Sequence, residues 1–178
     1  MRILLLAHAF DTLGCAGHPI VRTPTIDRWA AEGVRFRNQF VTTSVCWVSR
    51  AVVLTGQWAR THAVPTSMPT VRPESLAGSY PLALRAAGYR TAFFGKWHLQ
   101  GPAGFAPQQL FDVYQAVGRN PYFRTLPDGT RRHETDLICD LAIEFLESRR
   151  DEQPFCLNLW FNAAHAEDGD HRPGIGHY

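Results

Sequence analysis

Two short segments of the sequence carry side chains that can bind and attack a tetrahedral anion. In the first segment, Cys46 precedes Arg50 by about one helical turn. A cysteine at the start of a helix faces unpaired backbone N–H groups and the positive end of the helix dipole, so it favours a thiolate and an anion site. The guanidinium of Arg50 can reach the same anion. The local pattern is equally compatible with Cys46 as a small buried side chain.

The second segment contains Lys96 and His98, and Lys96 is the only lysine among the 18 basic residues of the chain. In an extended chain, residues two apart point to the same side of the backbone. A fixed cation and a titratable imidazole can therefore converge on one anion. The spacing predicts that Lys96 and His98 act together.

The elements that must position these residues follow from hydrophobic patterning and turn residues. Buried strands are expected at residues 2–7, 89–94 and 155–161, with a further short strand within 34–42. Helices are expected at residues 24–32, 48–55 and 135–149, and between Ser79 and Gly88. Strands that alternate with helices predict an α/β fold, in which helices cover a mostly parallel sheet within one domain.

In such a sheet, ligands bind beyond the carboxyl ends of the strands. Three of the predicted strands end next to titratable side chains: His8 and Asp11, then Lys96 and His98, then His165. One histidine after one strand is usually an ordinary surface residue. The prediction of an anion site therefore depends on all three strands ending at the same edge.

The composition excludes several classes of protein. With 18 basic and 16 acidic residues, the 178-residue chain has a net charge of +2, which is too balanced for an electrostatic nucleic-acid binder. Its four cysteines form no C-x-x-C pair, so neither a zinc knuckle nor a disulfide scaffold is indicated. No apolar run approaches the ~20 residues of a membrane span, and Ile3 to Leu6 is too short for a signal peptide. A cytoplasmic protein without nucleic-acid or membrane partners is expected.

Four blocks of the sequence resemble the sulfatase family, in particular its formylglycine-dependent, arylsulfatase-like members. Cys46 to Gly56, C-W-V-S-R-A-V-V-L-T-G, resembles the family signature C-x-P-S-R-x-x-x-L-T-G, in which the cysteine is oxidised to formylglycine. Gly95 to Leu99, G-K-W-H-L, is similar to a second family motif. The remaining blocks are Gly14 to Phe36 and Pro154 to His165. The blocks occur in the family's order and span almost the whole chain.

The resemblance implies an alkaline-phosphatase-like α/β fold and the hydrolysis of sulfate esters. Cys46 would become formylglycine, whose hydrate attacks sulfur and later expels sulfate. Arg50 would hold that hydrate, and Lys96 and His98 would bind the sulfate and the nucleophile. His98 would also be a candidate base, and His165 would contact the sulfate and help to protonate the leaving oxygen. Preorganised cations suit this reaction because negative charge develops in its transition state.

The resemblance also implies a divalent metal, usually calcium, that is bound in part by Cys46 as formylglycine. The family's aspartate pair after the first strand is missing here, and Asp11 is the remaining candidate ligand from that stretch. Val48 occupies the position of the proline or alanine in the maturation motif. The expected partners are a sulfate-ester substrate and a formylglycine-generating or other sulfatase-maturing enzyme.

Family members are several times longer than this chain. The resemblance therefore makes residues 1–178 the amino-terminal part of a single sulfatase catalytic domain, truncated before a later metal-binding segment. Two alternatives stay open at this point. The same fold could hydrolyse phosphate or phosphonate monoesters, because sulfate and phosphate are both tetrahedral oxyanions. The chain could also be a non-catalytic, sulfatase-like remnant that binds anions.

Overall fold

The computed structural model describes residues 11–149, 152–163 and 165, which fall into two compact units, Met1–Val41 and Thr42–Tyr178. In the first unit, a 3₁₀ turn at Gly14–Ala16 precedes helix α1, Pro24–Glu32, at the predicted position. The Asp27 carboxylate accepts hydrogen bonds from the Thr23 hydroxyl and the Cys15 amide, both at 2.7 Å. These contacts tie the helix to the turn.

Two predicted strands of this first region have different outcomes. The short strand expected within residues 34–42 is wrong, because the backbone there pairs with no strand in the described part of the chain. Its side chains are mostly exposed, so this segment has no buried face with which to join a sheet. The strand expected at residues 2–7 lies outside the described residues, as does His8.

The second unit contains the remaining elements. Its helices are α2 (Cys46–Thr55), α3 (Ala59–His62), α4 (Pro73–Ala77), α5 (Tyr80–Ala86) and α6 (Glu134–Glu147). Its strands are β1 (Arg90–Gly95), β2 (Val113–Ala116), β3 (Phe123–Thr125), β4 (Arg131–His133) and β5 (Phe155–Trp160). The predicted helices and strands of this unit are confirmed to within two residues at each end. The short elements α3, α4, β2, β3 and β4 were not predicted.

The sheet that carries the site has the strand order β2, β1, β5, and all three strands are parallel. In the register of the sheet, Gly95 lies beside Ala116 on one side and Trp160 on the other. The three strands therefore end at the same level. The segments that begin with Lys96, Val117 and Phe161 all leave from one edge, as the sequence predicted for the first and the last.

Strand β1 is buried on both faces, as expected for the centre of a parallel sheet. Phe93 packs into a core with Val48, Ala51 and Leu54 of α2. Phe94 points to the opposite face and packs with α6. Helix α2 is thus fixed to the sheet by its apolar side, which leaves its first turn at the carboxyl edge. None of the helices within the described residues has the length and apolar character that a membrane crossing requires.

Gly95 is the point where β1 gives way to the lysine segment. Its φ is +114°, and a Cβ atom there would lie 2.2 Å from the carbonyl oxygen of Trp160. We expect Gly95→Ala to lower the free energy of unfolding by about 3 kcal/mol or more, since both backbone strain and overpacking oppose it. Urea unfolding of the purified protein measures this loss.

Gly129→Ala is the matched control for that substitution. Gly129 also has a positive φ, +83°, but nothing lies within 4 Å of its added Cβ. Gly129→Ala should lower the free energy of unfolding by about 1 kcal/mol, which is the effect of the backbone strain alone. Equal losses for the two variants would contradict the close approach of Trp160.

Candidate functional site

The candidate site lies where α2 begins beside the carboxyl edge of the sheet, entirely within the second unit. Cys46 is the first residue of α2, and the first helical hydrogen bond runs from the Ser49 amide to the Val45 carbonyl at 2.9 Å. Gly56, with φ +66°, ends the helix by donating to the Val52 carbonyl. The helix begins two residues earlier than the sequence predicted. Its first turn therefore contains Cys46 itself.

The Cys46 thiol and the His98 imidazole are in direct contact. Cys46 Sγ lies 3.3 Å from His98 Nδ1, and the tautomer of the ring decides which atom donates. Trp47 packs its ring edge-on against His98, with the ring centroids 5.2 Å apart. The imidazole is thus held beside Cys46 by two consecutive residues of α2.

The backbone at His98 differs from the one assumed in the sequence analysis. His98 has φ +53°, so Lys96 and His98 are not two residues of one extended strand. The left-handed turn, rather than strand alternation, brings the imidazole to Cys46. Lys96 nevertheless acts on His98: burial is the largest cause that lowers the pKa of that imidazole, and the charge of Lys96 is the second.

Arg50 links the helix to the lysine segment. Its Nη1 donates to the carbonyl oxygen of Lys96 at 2.8 Å, and its guanidinium lies 4.8 Å from the ring centroid of Trp160. Burial lowers the pKa of Arg50 to about 10, and the nearby Cys46 thiol acts in the opposite direction. The guanidinium therefore keeps its charge at neutral pH.

The backbone of Lys96 is fixed on both sides. Its amide donates to the Trp160 carbonyl at 2.7 Å, which extends the ladder between β1 and β5 by one residue. Its carbonyl accepts the hydrogen bond from Arg50. The half-buried Lys96 side chain thus extends from a backbone that is held by hydrogen bonds on both sides.

His165 follows β5 at the same edge, where it meets a residue that the sequence analysis missed. Arg119 Nη1 lies 3.1 Å from His165 Nε2 and also contacts Nδ1. Arg119 follows β2, a four-residue strand in a region that the sequence suggested to be mainly turns. The available signal was the pair Val113 and Tyr114, which favour strands, but this segment was too short for a periodicity argument.

The predicted anion site therefore comes together in part from three strands and one helix. His98 lies within electrostatic reach of Lys96, Arg50, Arg119 and His165. Cys46 and His98 are in contact, whereas His165 contacts Arg119. The arrangement combines a thiol, two imidazoles and three permanent cations, which suits the binding of a tetrahedral anion.

The positive surroundings of His98 give a testable pH dependence. Burial is the largest cause that lowers the pKa of His98 below its usual 6.5, followed by Lys96 and Arg50. We expect NMR titration of the His98 ring to give a pKa below 6.5, and Lys96→Met to raise it. Because the folded pKa is depressed, the contribution to stability is present above pH 6.5 and is lost as the pH falls through the folded value. Arg131→Met is the control, and an equal shift in that variant would contradict the assignment.

The described residues do not by themselves fit a calcium site. They contain no group of three His, Cys, Asp or Glu side chains that could hold a metal ion. Asp11, the predicted ligand, is an exposed residue of the first unit. Calcium prefers six or more oxygen ligands, so Asp11 and an oxidised Cys46 are too few.

Comparison with known proteins gives a consistent result. A family model described as Sulfatase matches residues 3–174. An N-acetylglucosamine-6-O-sulfatase of Bacteroides thetaiotaomicron is 33% identical over 165 residues, which cover 89% of this chain and 29% of that relative. Human arylsulfatase A is 42% identical over 121 residues, which cover 61% of this chain and 23% of that relative. The chain thus spans less than a third of the length of these relatives.

Solved structures confirm the predicted fold. One, a protein in complex with its substrate D-glucosamine-2-N,6-O-disulfate, matches with a TM-score of 0.69 and 32% identity. The match covers 86% of this chain and 32% of that one. The phosphonate monoester hydrolase of Agrobacterium radiobacter matches with a TM-score of 0.64 over 85% of this chain and 38% of that one. Its identity of 21% supports the alkaline-phosphatase-like α/β fold alone.

Proposed function

Because the chain belongs to the sulfatase family, we propose that the protein hydrolyses sulfate esters at the site around Cys46. The observation that carries this proposal is the contact of Cys46 with His98 at the start of α2, beside Arg50 and Lys96. A sulfate ester placed there meets a candidate nucleophile and several cations at once. The family relationship supports the reaction class, and the geometry supports the choice of residues.

The nucleophile of the proposed reaction is a formylglycine made from Cys46 by a maturing enzyme. Cys46 fits this modification because its side chain is only partly buried and lies within 3.3 Å of a titratable ring nitrogen. As its hydrate, formylglycine supplies one hydroxyl to attack sulfur and a second hydroxyl to release the sulfate afterwards. The thiol contact with His98 marks where those hydroxyls would lie.

The neighbouring side chains have separate parts in this proposal. His98 is in reach to accept the proton from a hydroxyl at position 46, because its Nδ1 lies 3.3 Å from Cys46 Sγ. Burial is the largest cause that lowers the pKa of His98 below 6.5, which favours the neutral, proton-accepting imidazole. Lys96 and Arg50 supply permanent charge against the negative charge that develops on the sulfate oxygens. Arg50 also holds the Lys96 backbone, so the two cations keep a fixed separation.

His165 is proposed to protonate the oxygen of the leaving alcohol. It follows β5, contacts Arg119 and lies within electrostatic reach of His98, so it brings a second titratable ring to the site. When the sulfur–oxygen bond breaks, the bonding electrons go to that oxygen, which then takes the proton of the imidazolium. Arg119 contacts the same ring and can donate only to an unprotonated ring nitrogen, so it is proposed to bind the sulfate beside the ring once His165 is protonated.

Calcium belongs to the proposal as a cofactor of the whole protein. The oxidised Cys46 is its proposed ligand from the second unit, and further carboxylates are required to complete the site. Calorimetric titration with calcium measures binding directly. The sulfated amino sugars named for a curated relative and for a structural neighbour are the first substrates to test.

The test begins with the gene product made together with a formylglycine-generating enzyme. Mass spectrometry of tryptic peptide 38–50 shows whether Cys46 is an aldehyde or an intact thiol. Parallel assays use 4-nitrophenyl sulfate, N-acetylglucosamine-6-sulfate and a phenyl phosphonate ester. We expect an aldehyde and faster hydrolysis of the sulfates. An intact thiol without turnover would support the non-catalytic alternative, and preference for the phosphonate would support the other hydrolase.

A further inference from the structure

Four residues near the end of β5 form a closed ring of hydrogen bonds, which we call the buried ring. The Glu134 amide donates to the Tyr122 carbonyl at 2.7 Å, and the Tyr122 hydroxyl donates to the His165 carbonyl. The His165 amide donates to the Asn162 carbonyl at 3.0 Å. Asn162 Nδ2 closes the ring by donating to Glu134 Oε2 at 3.0 Å. The ring holds both backbone polar groups of His165.

The other members of the ring lie deep in the protein. Tyr122 and Glu134 are fully buried and Asn162 is 4% exposed, whereas His165 is exposed. Burying a carboxyl group is unfavourable unless it is well hydrogen-bonded. A glutamate at position 134 therefore carries a desolvation penalty that a purely structural role does not explain. Through Tyr122 and Asn162, the ring therefore connects this buried carboxyl group to His165, a residue of the proposed site.

Asn162 also connects the ring to the sheet. Its Nδ2 donates to the Val117 carbonyl at 3.0 Å, at the residue that follows β2. Both partners of Nδ2 are acceptors, which fixes the orientation of the amide. The side chain thus spans from the end of β5 to the end of β2, and it sets the direction in which the chain leaves β5 toward His165.

We propose that Tyr122, Glu134 and Asn162 are positioning residues that hold His165 in its working place at the sheet edge. This inference rests on the proposed function, in which His165 protonates the leaving oxygen. The backbone of His165 is anchored at its amide and its carbonyl, and Arg119 contacts the imidazole. Without the backbone contacts, the imidazole would be poorly oriented beyond the end of β5.

The first test compares sulfate esters whose leaving group must be protonated with esters whose leaving group need not be. Glu134→Met and Tyr122→Phe remove one hydrogen bond of the ring each, with little change in volume. We expect kcat/KM for an alkyl sulfate to fall about tenfold or more, because general acid catalysis is weakened. For 4-nitrophenyl sulfate, whose leaving group needs no proton, we expect less than about a threefold loss.

Two control variants on α6 make this test specific. In Glu134→Gln the amide oxygen can still accept from Asn162, so this variant should keep the substrate pattern of the wild type. Glu144→Gln changes an exposed glutamate of the same helix and should have no effect. If the residues had a merely structural role, the variants would contain less folded enzyme. The measured rates for both substrates would then fall by the same factor. Equal losses for alkyl and nitrophenyl sulfate would therefore overturn the proposal.

The second test needs no enzymatic activity and separates this inference from the proposed function. Hydrogen exchange of the His165 amide reports its bond to Asn162 directly. We expect exchange to be about tenfold faster in Glu134→Met and Tyr122→Phe than in the wild type or in the two controls. Unchanged exchange would overturn the inference even in an active enzyme. If the wild type hydrolyses no sulfate ester, the proposed function fails while the exchange result still decides whether the ring holds His165.

Discussion

Cys46→Ala is expected to reduce kcat for sulfate ester hydrolysis by about 10⁴-fold or more, because it removes the thiol group that the maturing enzyme needs to form the formylglycine nucleophile. The protein should stay folded, since Cys46 is only partly buried at the start of α2 and its side chain supports no core contact of that helix. Activity assays on the co-expressed protein measure the loss. Thermal unfolding verifies that the fold is kept.

Cys139→Ala is the matched control for that prediction. Cys139 is an exposed cysteine on α6, outside the group of side chains around His98. Its removal should leave the rate within about twofold, because surface changes rarely affect a distant reaction. Comparable activity of Cys46→Ala and the wild type would mean that the nucleophile lies elsewhere. The sulfatase reading of Cys46 would then be wrong, although membership of the family would remain.

Long, strongly patterned segments made the sheet predictable. The apolar runs of β1 and β5 and the caps of α1 and α5 are local signals, and each element lies within about two residues of its prediction. The sequence also predicted that Lys96 and His165 would follow strands of one sheet. Parallel strands end at one edge whatever their side chains, so this conclusion required only the fold class.

The details of the site were less predictable, because they depend on short elements and on turns. Arg119 enters the site through β2, whose four residues give too little periodicity to recognise. His98 reaches Cys46 through a residue with φ +53°, which a non-glycine residue adopts only when its surroundings require it. Such a conformation has no signature in the local sequence.

The buried ring illustrates the same limit at longer range. Glu134 begins a helix and Asn162 follows a strand, so each has an ordinary local interpretation as a capping or loop residue. Their contact spans 28 positions of the sequence. Only the packing of α6 against the sheet reveals it. Polar residues buried by the fold are therefore the part of this site that a single sequence conceals.

Lys96→Ala is expected to lower kcat/KM for sulfate esters by about 10²-fold or more, because a preorganised cation beside the developing charge is lost.

Lys96→Arg tests whether a planar guanidinium can replace the ammonium at this position. The backbone of Lys96 is fixed by Trp160 and Arg50, so the side chain cannot retreat to make room for a planar guanidinium. Two guanidinium groups, those of Arg50 and Arg119, already act on His98. We expect a loss of about tenfold or more for Lys96→Arg as well, since the two cations differ in shape and hydration.

The control for Lys96→Arg is the reverse exchange at the surface, Arg85→Lys. Arg85 forms a partly exposed ion pair with Asp112 at 3.6 Å, away from the carboxyl edge of the sheet. This exchange should leave kcat/KM unchanged and cost at most about 1 kcal/mol of stability. If Lys96→Arg were as active as the wild type, any compact or planar cation would suffice at this position. The single lysine among 18 basic residues would then be a coincidence of composition. A tenfold loss at Lys96 beside an unchanged Arg85→Lys would instead assign that lysine to the binding of the sulfate.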